Sequence, residues 1–235
     1  MLVASGGQLL WMIGSEGHSG SHSPYYGQWS FSGGGSLVGK ACHPLSAALY
    51  LKRVEGESHD GAPIVPASVS ARTHEITRLK AYRDEGFLRT GYTDVEDYGQ
   101  MHITFSDGTV ADIFSSELVL GGIHSWLEVL ANNHRPRCNR IPADALQTFN
   151  PLEDLMKDVY ITEKLGTKQG WSHPAPDEDW QNGYHHEFQD FMECIDQGRE
   201  PLSGAELGRD SIAVLYSAYL SAERRGAEVE IPVAA

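Results

Sequence analysis

The chain has 235 residues, 40% hydrophobic and 21% charged, a composition suited to a soluble globular protein with a substantial core. Thirty-two acidic against 18 basic residues give a formal net charge of -14, which argues against nucleic-acid binding and against docking on anionic membranes. Three widely spaced cysteines (Cys42, Cys138, Cys194) fit reduced thiols in a cytoplasmic protein better than disulfides or a CxxC zinc site, and no segment is apolar enough to span a membrane.

The first basic residue is Lys40, so Met1 to Ile13 lacks the basic region of a secretory leader. The apolar run 8–13 predicts a buried strand entered midway, as expected of a truncated chain. Residues 14–36, dense in Gly, Ser, His and aromatics, predict one long ordered loop holding Gly14, Gly17 and Gly20. Tyr25, Tyr26, Trp29 and Phe31 argue against disorder there. Within it, Glu16-Gly-His18-Ser-Gly-Ser-His22 puts three potential ligands in seven residues. Such a cluster suits a metal, a polyhydroxylated ligand, or simple anchoring of the loop.

Ser32 to Pro44 reads S-G-G-G-S-L-V-G-K-A-C-H-P and invites two incompatible readings, a phosphate loop or a pocket lip. Gly34-x4-Gly39-Lys40 matches seven positions of a P-loop, but Ala41 stands where Ser or Thr should hold magnesium. Pro44 also delays the helix whose amides would cradle phosphate. No G-x-G-x-x-G fingerprint follows a strand, so no Rossmann-type dinucleotide site is encoded. His43 remains as an acid or base candidate. Its place at a helix start disfavours the imidazolium, predicting a neutral ring ready to accept a proton.

Leu45, Leu49, Leu51 and Val54 predict a helix over 44–55, ended by Gly56. Residues 67–76 predict a strand. Met101 to Phe105 and Val110 to Phe114, joined through Asp107-Gly108, predict a hairpin with Met101, Ile103 and Phe105 on one face. A second hairpin is predicted from Trp126 to Ile141. Phe188, Phe191, Met192 and Ile195 share a helix face closed by Gly198. Ser203 and Glu206 read as a capping box opening a longer helix, and residues 229–233 as a final strand. Nine acidic residues between Asp177 and Glu206 read as a solvated surface. Strands in the middle with helices near the ends predict an α+β sheet domain.

The glycine-rich entry Ser32 to Leu37 with His43, the stretch Val95 to Tyr98 leading to Phe105-Ser-Asp-Gly108-Thr, and the segment His186 to Pro201 followed by a long helix and Val229-Glu-Ile231 together resemble the C-terminal domain of the Gfo/Idh/MocA family of NAD(P)-dependent oxidoreductases. The resemblance implies an open, mainly antiparallel mixed β-sheet with helices on one face, a dihydrodipicolinate-reductase-like C-terminal domain. It implies one domain over 1–235: pocket loop 14–36, catalytic-type helix 44–55, sheet hairpins 64–141 and C-terminal helices 185–225, with no dinucleotide-binding domain. NAD or NADP would be bound mainly by a Rossmann domain lying outside this chain. A small sugar, inositol or related polyol would be the substrate, and the sheet face would pack in a homo-oligomer. His43 matches the family's catalytic histidine; Glu16, His18, His22, Trp29 and Lys40 are the expected substrate contacts. The aspartate expected four positions before the histidine is Gly39, and a second expected carboxylate is Ser46.

Overall fold

The computed structural model describes residues 2–89, 91–141, 146–175 and 177–232. A seven-stranded sheet forms the centre: β1 (Leu9–Gly17), β2 (Pro66–His74), β3 (Tyr98–Phe105), β4 (Val110–Ser116), β5 (His124–Ala131), β6 (Arg137–Ile141) and β9 (Val229–Glu230). A separate pair joins β7 (Thr148–Asn150) to β8 (Gly170–Ser172). The large sheet runs β6-β5-β1-β4-β3-β2-β9. Only β1 and β4 pair in parallel; the other pairs are antiparallel.

Two 19-residue helices, α1 (Cys42–Asp60) and α3 (Ala205–Glu223), cover one face of the sheet. Alternation decides that face. Met101, Ile103 and Phe105 point inward from β3, and Ala111 and Ile113 from β4, all nearly inaccessible. Leu45, Ala48 and Leu49 of α1 and Val214, Leu215 and Ala218 of α3 recur at three- and four-residue spacing and close over them. Burying each such leucine is worth about 1.5–3 kcal/mol, so this layer supplies much of the driving force. The opposite face carries polar pairs such as His102–Asp112 at 2.8 Å.

Several elements depart from the sequence expectation. The loop starts at His18, because Gly14 to Gly17 belong to β1, paired with β4 and β5. Helix α1 runs past Gly56 to Gly61, which caps it at φ 70°. Gly56 is small for another reason: a Cβ there would sit 2.4 Å from the Ala62 carbonyl, where the chain folds back. The capping box does not form. Gly204 is the N-cap of α3, and Glu206 instead accepts from Arg53 at 2.7 Å. The final strand ends at Glu230, and Val233 lies outside the described residues. Phe188, Phe191, Met192 and Ile195 do share a face of α2 (Tyr184–Gln197), but that face is exposed.

Candidate functional site

The Ser32–Pro44 segment folds around an internal anion. The amides of Gly35 and Leu37 donate to the Glu96 carboxylate at 3.0 and 2.8 Å, and the Tyr219 hydroxyl donates to it at 2.8 Å. A Cβ on Gly35 would fall 2.0 Å from the Glu96 carbonyl oxygen, so only glycine allows this approach. Burial raises Glu96 above the ordinary carboxylate range, opposed by these hydrogen bonds. Two amides that a phosphate would need are therefore already used. The chain then passes through a five-residue π-helical turn, Leu37–Ala41, directly into α1. That turn presents Gly39 and Lys40, and the first turn of α1 presents His43, to a cavity of about 310 Å³. The volume lies at the lower end of the small-molecule range.

The cavity gathers Glu16, His18, His22, Lys40 and His43, five of the six residues expected from sequence. Strand β1 supplies Glu16, and the following loop supplies the two histidines. Trp29 is not among the lining residues. It packs edge-on against Tyr219 of α3 at 4.9 Å, and its amide donates to Asp94 at 2.7 Å, so it pins the loop to the helix. Arg140, Lys164, Asn182 and Tyr184 line the cavity without having been singled out from sequence. They come from β6 and from chain more than 120 residues after Glu16, with no local motif to mark them.

Glu16 is the hub. Its Oε1 accepts from His43 Nδ1 at 2.7 Å and its Oε2 from Arg140 Nη2 at 2.6 Å. Arg140 also donates to Ser125 and Asn182, at 3.2 and 3.4 Å. Burial pushes Glu16 upward, but the hydrogen bond and charge of His43 and the charge of Arg140 outweigh it and hold the carboxyl below its usual range. His43 is correspondingly an imidazolium. A hydrogen bond with neighbouring Cys42, and then the Glu16 carboxylate, push it up to about 9. This corrects the expectation of a neutral ring. The preceding π-helical turn uses the amides of a free helix end, and a buried carboxylate faces the ring instead.

Lys40 is fully buried and ion-paired with Glu117, which follows β4; it also reaches Ser21 at 3.4 Å. Desolvation lowers the Lys40 pKa, and Glu117 opposes that shift. His18 is neutral: burial, then the charges of Lys40 and Lys164, push it down to about 3. Its Nε2 lies 3.0 Å from Lys164 Nζ. No group of three or more His, Cys, Asp or Glu side chains suited to a metal is found among the described residues.

The described residues do not form a dinucleotide cradle. Strand β1 leads into an irregular loop with a 3-10 turn and a four-residue helix, and the first long helix starts only at Cys42. Pyrophosphate needs a glycine turn opening directly onto a helix N-terminus.

No family model matches the sequence, and no curated protein matches it. Solved structures do match in fold. GenD2 from gentamicin A biosynthesis, solved in complex with NAD, superposes with a TM-score of 0.75 at 20% identity, over 96% of this chain and 56% of that one. Myo-inositol 2-dehydrogenase from Lactobacillus plantarum gives 0.63 at 20% identity, over 98% and 60%. Myo-inositol dehydrogenase from Lactobacillus casei, in complex with NAD(H) and myo-inositol, gives 0.59 at 14% identity, over 97% and 55%. The chain thus spans between 55 and 60% of the length of these neighbours. The open seven-stranded sheet, with its single parallel pair and its helices on one face, matches the C-terminal domains of Gfo/Idh/MocA dehydrogenases in fold.

Proposed function

We propose that this chain is the substrate-binding half of an NAD(P)-dependent oxidoreductase acting on the CH–OH group of a sugar, inositol or related polyol. The observation that carries the reading is the paired Glu16 and His43 in a cavity ringed by donors and acceptors. A polyol presents several hydroxyls, each both donor and acceptor, and Arg140, Lys164, Asn182 and Tyr184 offer matching partners. In this reading the nicotinamide belongs mainly to a separate dinucleotide-binding domain, and this chain contributes the pocket and the proton. His43, as imidazolium, gives its proton to the substrate oxygen when a carbonyl is reduced, and regains one when an alcohol is oxidised. Glu16 steadies the charged ring and fixes its orientation. Glu16, His18, His22 and Lys40 shape the pocket floor and wall.

Gly39 supports a second reading, a non-catalytic sugar-binding or dimer-scaffold domain. It leaves the helix without the carboxylate that the resemblance implies. Ligand-observed NMR with myo-inositol and D-glucose, followed by an assay with NAD and NADP of the complete enzyme, in which this chain is joined to its dinucleotide-binding domain, separates the two. Binding with turnover supports the oxidoreductase, binding without turnover supports the scaffold, and absence of binding defeats both.

A further inference from the structure

The charges in the cavity do not balance. Lys40 and Glu117 neutralise each other at the floor. Glu16 is one carboxylate shared by two cations, His43 and Arg140. Lys164 has Glu163 as its nearest counter-ion, at 3.7 Å, and the Glu163 side chain is 54% exposed. So long a contact to an exposed carboxylate is weak in water. The charges of Arg89 and Lys164 both depress His22, behind the larger effect of its desolvation and against the opposing charge of Glu163. With Glu163 counted as a lining residue, four cations (Lys40, His43, Arg140, Lys164) still face three carboxylates (Glu16, Glu117, Glu163), a local positive excess in a chain whose net charge is -14.

Lys164 also competes with the Gly20 amide for the one acceptor nitrogen of neutral His18. Its Nζ faces His18 Nε2 at 3.0 Å, while the Gly20 amide donates to His18 Nδ1 at 3.1 Å. A neutral imidazole carries one N–H and accepts at only one nitrogen. Both nitrogens meet donors, so one donor goes unserved. If the proton sits on Nε2, it opposes the Lys164 ammonium. If it sits on Nδ1, it opposes the Gly20 amide and points toward Glu117 Oε2, 3.6 Å away, a buried oxygen with no hydrogen-bond partner. The backbone at Lys164 adds to this. It adopts φ 60°, one of two non-glycine residues with positive φ among the described residues. Such strain gathers at ligand clamps.

We propose that Lys164 binds an anionic oxygen group of the substrate, a carboxylate or a phosphate, so that the chain prefers an acidic or phosphorylated polyol to a neutral one. This rests on the polyol reading above. The anion accepts from Nζ, frees His18 Nε2 to carry its proton, and meets the excess positive charge. The geometry needs only a side-chain rotation, because Lys164 already lines the cavity.

Isothermal titration with D-glucose, D-glucuronate and D-glucose 6-phosphate tests the idea in the wild type, Lys164→Met and Lys164→Arg. One charge-assisted hydrogen bond predicts that an anionic sugar binds about tenfold more tightly than glucose. The preference should vanish in Lys164→Met and persist in Lys164→Arg. The two anionic arms tell carboxylate from phosphate. If Lys164→Met does not fold, the wild type is compared at low salt and at about 0.5 M salt, where screening should erase the preference. Equal affinity for all three sugars overturns this inference and leaves the polyol reading standing. A preference that survives Lys164→Met or high salt overturns it too. Failure of every sugar to bind overturns both.

Discussion

Glu16 on β1 and His43 in the first turn of α1 meet at 2.7 Å, one carboxylate oxygen against one ring nitrogen. The pair ties a sheet strand to the helix that covers it, and it contributes to the protonation of both groups, beside Cys42 for the histidine and Arg140 for the glutamate. His43 titrates near 9 rather than at its ordinary 6.5. Its folded pKa is the higher one, so its contribution to stability is complete below about 6.5 and is lost as pH rises through about 9. Glu16→Gln should bring the His43 titration back toward its ordinary value. Histidine-ring NMR across pH 5 to 10, in the wild type and the variant, checks this, and an unmoved titration would show that Glu16 is not the cause.

A proton donor at the reacting oxygen should carry a large share of turnover. His43→Ala in the complete enzyme is expected to lower kcat about a hundredfold or more, with a smaller change in KM. Steady-state kinetics on the polyol substrate measures it. Unchanged kcat would remove His43 from the chemistry.

Lys40 and Glu117 are both nearly inaccessible, with side-chain exposures of 2% and 3%. Removing one partner strands the other as a buried charge. Glu117→Ala should therefore destabilise the fold by about 3–5 kcal/mol. Replacing the pair together by Met and Leu should cost much less, since neither charge is then left alone. Urea denaturation of the single and double variants compares them; equal losses would contradict the buried-pair account.

Gly35 is held where any side chain strikes the Glu96 backbone. Gly35→Ala should cost about 1–3 kcal/mol by overpacking and loosen the π-helical turn that carries Lys40 and leads into His43. Gly39→Ala should be mild by comparison, because its Cβ position lies 3.4 Å from the Tyr26 ring, an ordinary contact. Thermal melts of both variants, read side by side, decide the point.

The sheet and the two core helices were legible in the chain because alternation in β3 and β4, and three-to-four spacing in α1 and α3, report burial directly. Helix ends were less legible. Gly56 looked like a stop, yet it is the place where Ala62 and Ile64 press on the helix, a tertiary demand that local spacing does not show. The capping box at Ser203 failed because the helix is capped one residue later, at Gly204, which puts Glu206 out of register, and the carboxylate pairs with Arg53, 153 residues away.

In the site, local sequence clustered Glu16, His18 and His22, and the helix entry exposed Lys40 and His43, so these five were readable as candidates. Trp29 lay in the same loop but packs edge-on against Tyr216 and Tyr219 of α3 instead of lining the cavity. Arg140 and Lys164 gave no local signal. The charge state of His43 was decided only in three dimensions. Helix position predicted a neutral ring, but a hydrogen bond with Cys42 and a buried carboxylate 27 residues earlier, 2.7 Å from the ring, outweigh it. Periodicity is a property of neighbours along the chain, and the sequence alone could determine which faces are apolar and which residues carry chemistry. Coulombic and hydrogen-bond partners are neighbours in space, and only folding could decide which charges meet.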